Sequence, residues 1–421
     1  MLHCGIFVLT VIVLLAQVSY AAPAPAFIFP ATSPINPATR DATRRSLNAA
    51  GGGAPAAILG PQNEALELQN PDVFAPPKTD NGQVPNAKWP FSLSHNRVTA
   101  GGWSRQQNTD SLPIATALAG VNMRLEVGAI REMHWHNTAE WAYMLKGDVR
   151  ISTVNPQGEV FVGDVGEGDL WYFPPGNPHS IQAKNTTKDG AEFLIIFDSG
   201  AFSEDATFLL TDWLAHVPKT VLAKNFGVQN LSLFDHIPET ELYIFPSSPP
   251  PEDIEKDMVI PNNTPNPYTF ALSKVNATKT PGGSVKVVDS RTFHVAEKVS
   301  AVEVEVEVGG MRELHWHPTE PEWSFFISGQ ARMTLFASTS NAQTFDFMAG
   351  DVGYVPPSFG HYVENTGNTT LKFLEVFASG LFQDISLAQW LALTPPSLVK
   401  AHLGFSDEMI ANLNRQKLEV V

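Results

Sequence analysis

The chain carries one constellation of side chains twice. Arg131-Glu-Met-His134-Trp-His136 is followed by Glu140, by Gly168-Asp169 and Pro174-Pro175, and then by His179. Arg312-Glu-Leu-His315-Trp-His317 is followed by Glu322, Gly350-Asp351, Pro356-Pro357 and His361. Arg131, His134 and His136 map onto Arg312, His315 and His317 at one constant offset, and Glu140 and His179 map onto Glu322 and His361 at one residue more. Phe193, Phe197 and Trp213 recur as Phe373, Phe377 and Trp390. Self-similarity on this scale means two copies of one structural unit rather than one continuous sheet or bundle.

The unit reads as all-β. Runs such as Val302-Glu-Val-Glu-Val-Glu-Val308 alternate with period two, as strands with one buried face do, and Gly-Asp and Pro-Pro steps punctuate them. Charged residues are sparse at 17%, while Pro is frequent (33), which suits a turn-rich β protein better than a helical bundle. Many short strands at this spacing predict two tandem jelly-roll β-barrels. Each is followed by a short helical segment with a Gly stop, Val221–Gly227 and Leu398–Gly404.

Around the repeats, residues 1–22 read as a secretory signal: an apolar run over 5–18, then Ser19, Ala21 and Ala22 before Pro23. That predicts a secreted, extracellular protein with no membrane anchor after cleavage. The Ala-, Pro- and Gly-rich stretch 23–60 is expected to be disordered or a pro-segment. Residues 61–244 are assigned to an arm and the first barrel, 245–267 to a Pro-rich linker, and 268–421 to the second barrel. The single cysteine, Cys4, falls in the signal, so a mature protein would rely on core, metals or oligomerisation instead of disulfides. Sequons at Asn185, Asn230, Asn262, Asn276 and Asn368 fit N-glycosylation. A net charge of -16 argues against nucleic acid and requires that any anionic substrate be drawn in by local positive charge.

On a strand, residues two apart share a face, so His134 and His136 point together, as do His315 and His317. With Glu140 and His179, and with Glu322 and His361, each copy offers three imidazoles and a carboxylate to a divalent first-row metal; the donor set alone does not choose among Mn, Fe, Ni, Zn and Cu. The two sets use half of the chain's 12 histidines. Arg131 and Arg312 precede the first ligand by three residues. A guanidinium there can hold a substrate carboxylate beside the metal, or form a rim ion pair with Glu132 or Glu313. Three neutral histidines, one carboxylate, a divalent ion and one Arg sum to a positive site suited to a small dianion.

The copies differ in two places. The stretch between Phe202 and Trp213 is three residues longer than that between Phe382 and Trp390, the excess falling in Ser203-Glu204-Asp205-Ala206-Thr207. This is either a lid over the site with Glu204 as its reactive carboxylate or an ordinary acidic loop. In the second copy Glu375 replaces Ile195 on an otherwise apolar strand face, a costly position unless paired or functional; it faces either the second metal or Arg312.

With these residues in view, the chain resembles the bicupin oxalate decarboxylases over roughly residues 85 to 421. The resemblance implies two cupin barrels, each holding Mn(II) through His134, His136, Glu140 and His179, or through His315, His317, Glu322 and His361. It implies conversion of oxalate to formate and CO2 with dioxygen as a co-catalyst. It gives Glu204 the proton, Arg131 the substrate carboxylate, and Arg312 and Glu375 lesser parallel roles. Bacterial members carry Ser-Glu-Asn-Ser-Thr in the lid; here the Glu is kept while Asp205 and Ala206 depart. Relatives form trimers and hexamers, so a homo-oligomer is expected. Rival readings are an oxalate oxidase yielding CO2 and hydrogen peroxide, another metal-dependent cupin, and a storage bicupin without catalysis. Retention of Glu204 speaks against the oxidase, and retention of all eight ligands speaks against the storage protein.

Overall fold

The computed structural model describes residues 63–74, 76–258 and 264–421. The expected signal and the stretch 23–60 lie outside the described residues, and the described residues belong to one compact unit.

Each repeat folds into two antiparallel sheets that face one another. In the first barrel a large sheet orders the strands Leu170–Phe173, Glu140–Lys146, Ala191–Phe197, Ala119–Leu125 and Gly102–Gln107, while the facing sheet orders Ile130–Trp135, His179–Ala183, Val149–Val154 and Val160–Val165. The second barrel repeats this with Asp351–Val355, Glu322–Ser328, Leu371–Phe377, Ser300–Val306 and Gly283–Val288 against Met311–Trp316, His361–Asn365, Gln330–Phe336 and Ala342–Met348. The all-β reading therefore holds, and short helices follow each barrel, Lys219–Phe226 ending on Gly227 and Pro396–Leu403 ending on Gly404. Both terminal glycines sit in the left-handed region (φ 66° and 64°) that closes a helix without Cβ strain.

Alternation decides what lies inside. On Glu140–Lys146, Ala142 and Met144 join the interior of the first barrel with Phe193, Ile195 and Phe197. Trp141 and Tyr143 point the other way, into a second apolar cluster that includes Leu194, Ile196, Trp323, Phe325, Tyr354, Leu374 and Val376. The large sheets of the two barrels are thus apolar on both faces, and their outer faces bury one another. Trp323 lies at this seam, fully buried, its indole N–H donating to Gln107 Oε1 at 2.6 Å.

The chain crosses between barrels in both directions. Lys88–Pro90, in the arm expected to lead into the first barrel, instead pairs with Asp351–Val355 as an edge strand of the second. Thr269–Phe270, from the segment assigned to the second barrel, pairs with Leu170–Phe173 of the first. The arm is pinned by Lys88, whose ammonium lies 3.1 Å from Asp351 Oδ2, and by Asp72, whose amide donates to Asp346. A three-residue edge strand carries no sequence signal for its partner, since β pairing is set by tertiary packing. The Pro-rich stretch 245–267 is also docked rather than a free spacer. Phe245 pairs with Ile130, and Arg150 donates to the carbonyls of Pro251 and Glu252.

Candidate metal centres

The ligand strands, Ile130–Trp135 and Met311–Trp316, are not regular. His134 stands opposite His179 and Arg131 opposite Ile181, so three steps on one strand match two on the other. The same slip separates Arg312–Val363 from His315–His361. A β-bulge of this kind re-aims side chains. Arg131 and His134, three apart, would point to opposite faces of a flat strand; the bulge at Glu132–Met133 turns both into the barrel. The freed Glu132 does not pair with Arg131. Its carboxylate instead accepts from the amides of Thr211 (2.7 Å), Leu242 (2.9 Å) and Tyr243 (2.8 Å).

His134, His136, Glu140 and His179 converge with one donor atom each, all within 4.8 Å of one another, and His315, His317, Glu322 and His361 do the same. All eight are buried. Every imidazole donates its Nδ1–H to a backbone carbonyl: His134 to Glu132, His136 to Thr138, His179 to Asn177, His315 to Glu313, His317 to Gln383 and His361 to Phe359, at 2.6 to 2.9 Å. That tautomer leaves the Nε2 lone pairs facing the centre, as a metal requires. His179 Nε2 and His315 Nε2 are buried with no hydrogen-bond partner. Each carboxylate is oriented through its other oxygen, Glu140 Oε1 accepting from Trp171 Nε1 at 2.8 Å and Glu322 Oε1 from Ser324 Oγ. Orphaned lone pairs beside an oriented carboxylate fit a divalent cation.

The electrostatics agree. Burial, seconded by the adjacent Arg, pushes His134 and His315 well below the ordinary imidazole value, so both are neutral ligands. Burial alone would raise Glu140 and Glu322, but the neighbouring histidines outweigh it and hold both below the usual carboxylate range.

The sites diverge beyond the ligands. Each nitrogen of Arg312 has an acceptor: Nε donates to Glu375 Oε1 at 3.0 Å, Nη2 to Asp384 Oδ2 at 2.7 Å, and Nη1 to the Glu419 carbonyl at 3.4 Å. Lys417 also pairs with Asp384, and Val421 pairs with Met311, so the C-terminal segment seals this mouth. Of the two placements expected for Glu375, beside the second metal or beside Arg312, its hydrogen bond is to Arg312.

Arg131 has one carboxylate partner, Glu204 Oε2 at 3.4 Å, and its Nη1 is buried without a partner. Glu204 begins a 3-10 turn, Glu204–Ala206, capped by Ser203, and its own amide donates to Gln106 Oε1. The turn therefore places the Glu204 carboxylate, buried, beside Arg131. Its carboxylate also accepts from the hydroxyl of Tyr243, which Ser104 contacts in turn. Phe202, just before the turn, stacks on Phe197, and both rings lie against His136.

Tyr243, Ser104 and Gln106 carry no signal in the sequence. Tyr243 pairs by position with Glu419, a tyrosine against a glutamate, so the internal repeat gave no hint of it. Trp135 and Trp316, between the ligand histidines, point outward. Trp135 stacks on Phe208 and meets Trp213 edge-on; Trp316 meets Trp390.

The cupin family model matches residues 92–231 and 270–411. Oxalate decarboxylase OxdC of Bacillus subtilis (strain 168) is 50% identical over 363 residues, covering 86% of this chain and 93% of the relative. A probable oxalate decarboxylase of Arthroderma benhamiae is 42% identical over 375 residues, covering 88% and 91%. Among solved structures, Bacillus subtilis oxalate decarboxylase at pH 4.6 superposes with a TM-score of 0.84 at 50% identity, covering 88% of this chain and 95% of the other. Another structure of that enzyme, described for its Mn(II) centres, has a TM-score of 0.84 at 49% identity, covering 88% and 97%.

Proposed function

The chain belongs to the bicupin oxalate decarboxylase family and is a carboxy-lyase that converts oxalate to formate and carbon dioxide with Mn(II), and we propose that its N-terminal site carries the reaction. The observation behind this is the contrast between the two arginines: a buried, unpartnered Nη1 on Arg131 against an Arg312 whose three nitrogens each have an acceptor. When bound, Mn(II) supplies a Lewis acid and one-electron redox capacity, and dioxygen is the co-catalyst of that redox step.

The residues do the rest. Arg131 fixes the oxalate carboxylate in a planar, bidentate grip. Glu204 takes the proton of the hydrogen oxalate monoanion and returns it to carbon once CO2 has left, so one hydrogen oxalate gives one formate and one CO2. Phe197 and Phe202 exclude water from the cavity while the turn is closed. Arg312 and Glu375 hold the second barrel together and keep its metal site closed to substrate.

The remaining expectations are proposals of the same kind. The chain is secreted, a reading supported by the apolar run over 5–18 and by exposed sequons at Asn185, Asn276 and Asn368. Among the described residues no helix is long and apolar enough to cross a membrane. It forms a homo-oligomer, trimer or hexamer. Exposed Met133, Phe208 and Trp213 on the outer side of the first ligand strand, matched by Leu314 and Trp390 on the second, support self-association. Oxalate is the partner, and the acidic net charge disfavours nucleic acid.

Purified protein supplied with Mn(II), oxalate and air at about pH 4 to 5, within the carboxyl range, tests the reading. It should yield one formate per oxalate with little hydrogen peroxide. Peroxide without formate would make the protein an oxidase, and neither product with metal bound would mean another substrate.

A further inference from the structure

Arg97 lies in the short edge strand Asn96–Thr99, directly opposite Ser104, and belongs to no repeated motif. Its guanidinium nevertheless stands 3.6 Å from the centroid of the Tyr243 ring, while Arg131 stands 4.3 Å from the same centroid. The tyrosine is thus gripped by two cations, one from the barrel and one from outside. Its hydroxyl donates to Glu204. Its backbone is left-handed (φ 56°), a conformation unfavourable for an aromatic residue, so it depends on side-chain contacts to stay in place. Arg97 also pairs with Glu241, two residues upstream, and lies 3.7 Å from Asp205 Oδ1 in the lid turn. Arg97, Ser104, Gln106, Glu204 and Asp205 all border one open cavity of about 570 Å³.

We propose that Arg97 is a positioning residue for the N-terminal site: it clamps Tyr243 from outside, so fixing the hydroxyl that orients Glu204, and through Asp205 it favours the closed turn. This rests on the reading of Glu204 as the proton-handling group. Tyr243 and Asp205 are held by the same cation, so orientation of the carboxylate and closure of the turn are coupled. The Asp205 contact is exposed and weak on its own; the stacking on Tyr243, where a planar cation meets a ring face, contributes more. Arg97 touches neither the ligand set nor the space before Arg131 Nη1, so its loss leaves metal affinity and substrate binding in place.

The test uses full-length Arg97→Met, which keeps the alkyl stem but removes the cation, and Arg97→Lys, which keeps charge but not the flat guanidinium, with Glu204→Ala alongside. Arg97→Met should retain Mn(II) and a KM for oxalate within about twofold, lose about tenfold in kcat for formate, and release a larger share of peroxide. Arg97→Lys should fall between, and it carries the test if Arg97→Met does not fold. In metal-free protein, the amides of residues 203–207 should exchange with solvent faster in Arg97→Met than in wild type. Wild-type kcat, product ratio and amide exchange in Arg97→Met, with Glu204→Ala inactive, would overturn the role of Arg97 alone. Full formate output from Glu204→Ala would overturn the reading of Glu204 and this proposal with it.

Discussion

Replacing Arg131 or Arg312, the two arginines of the repeat, by leucine should have opposite consequences. Arg312, Glu375 and Asp384 are all nearly inaccessible, with side chains 1%, 0% and 2% exposed. Asp384 keeps Lys417 when Arg312 is lost. Glu375 keeps no cation, and one of its oxygens, Oε2, already has no hydrogen-bond partner. Removing one member of a buried ion pair costs about 3–5 kcal/mol, because the other charge is stranded. For a unit of this size that is a melting shift of roughly 5 °C. Arg131→Leu breaks the 3.4 Å contact to Glu204, whose carboxylate still accepts from Tyr243, and the stacking on the Tyr243 ring, and should cost about 1–2 kcal/mol. Activity should run the other way. Arg131→Leu should abolish formate production, and Arg312→Leu should keep turnover within about threefold per folded, manganese-loaded N-terminal site. Calorimetry with metal analysis, followed by formate assay on the same samples, measures both. An Arg312→Leu protein that melts like wild type yet makes no formate would refute the division of labour.

Three further outcomes follow from the geometry. Tyr243→Phe removes the hydroxyl on Glu204 and should lower formate turnover about tenfold, at the scale of a hydrogen bond to a charged group, without loss of bound manganese by metal analysis. Gly120→Ala would put a Cβ 2.3 Å from Trp323 Cζ2 at the seam between barrels, costing about 1–3 kcal/mol, and should lower the melting temperature with the isolated spectroscopic signature of the metal unchanged. Burial, and then the facing Asp346 carboxylate, push Asp72 up to about 7, with Lys88 opposing. The docked arm therefore binds a proton that the free arm releases near pH 4. Its attachment is strongest below pH 4 and is lost as pH rises through 7, so amides of residues 63–74 should exchange faster at pH 8 than at pH 5, and Asp72→Asn should flatten that dependence.

The ligand sets were legible because a metal demands fixed residue types, and a strand delivers them at a fixed spacing; doubling the pattern removed the ambiguity of a single His-x-His. The longer turn around Glu204 was legible through a length difference, and Glu375 through one carboxylate on an apolar face. Other features left no such trace. Arg131 and His134 share a face only through a bulge, which no residue at Glu132–Met133 announces. Tyr243 reaches Glu204, and Arg97 reaches Tyr243, from segments distant in sequence. The exchange of Lys88–Pro90 and Thr269–Phe270 between barrels depends on which edge is free, a property of the assembled sheets rather than of either segment. The partners of Arg312 left no trace for the same reason. Asp384 and the C-terminal segment meet it only in three dimensions.

The central claim is that Glu204 handles the proton in the N-terminal site. Formate output of Glu204→Ala, measured against wild type at equal manganese content in both barrels, tests it most directly. Formate should fall at least about a hundredfold, the scale of a missing general acid, with metal retained. Unchanged formate at full metal loading would contradict it.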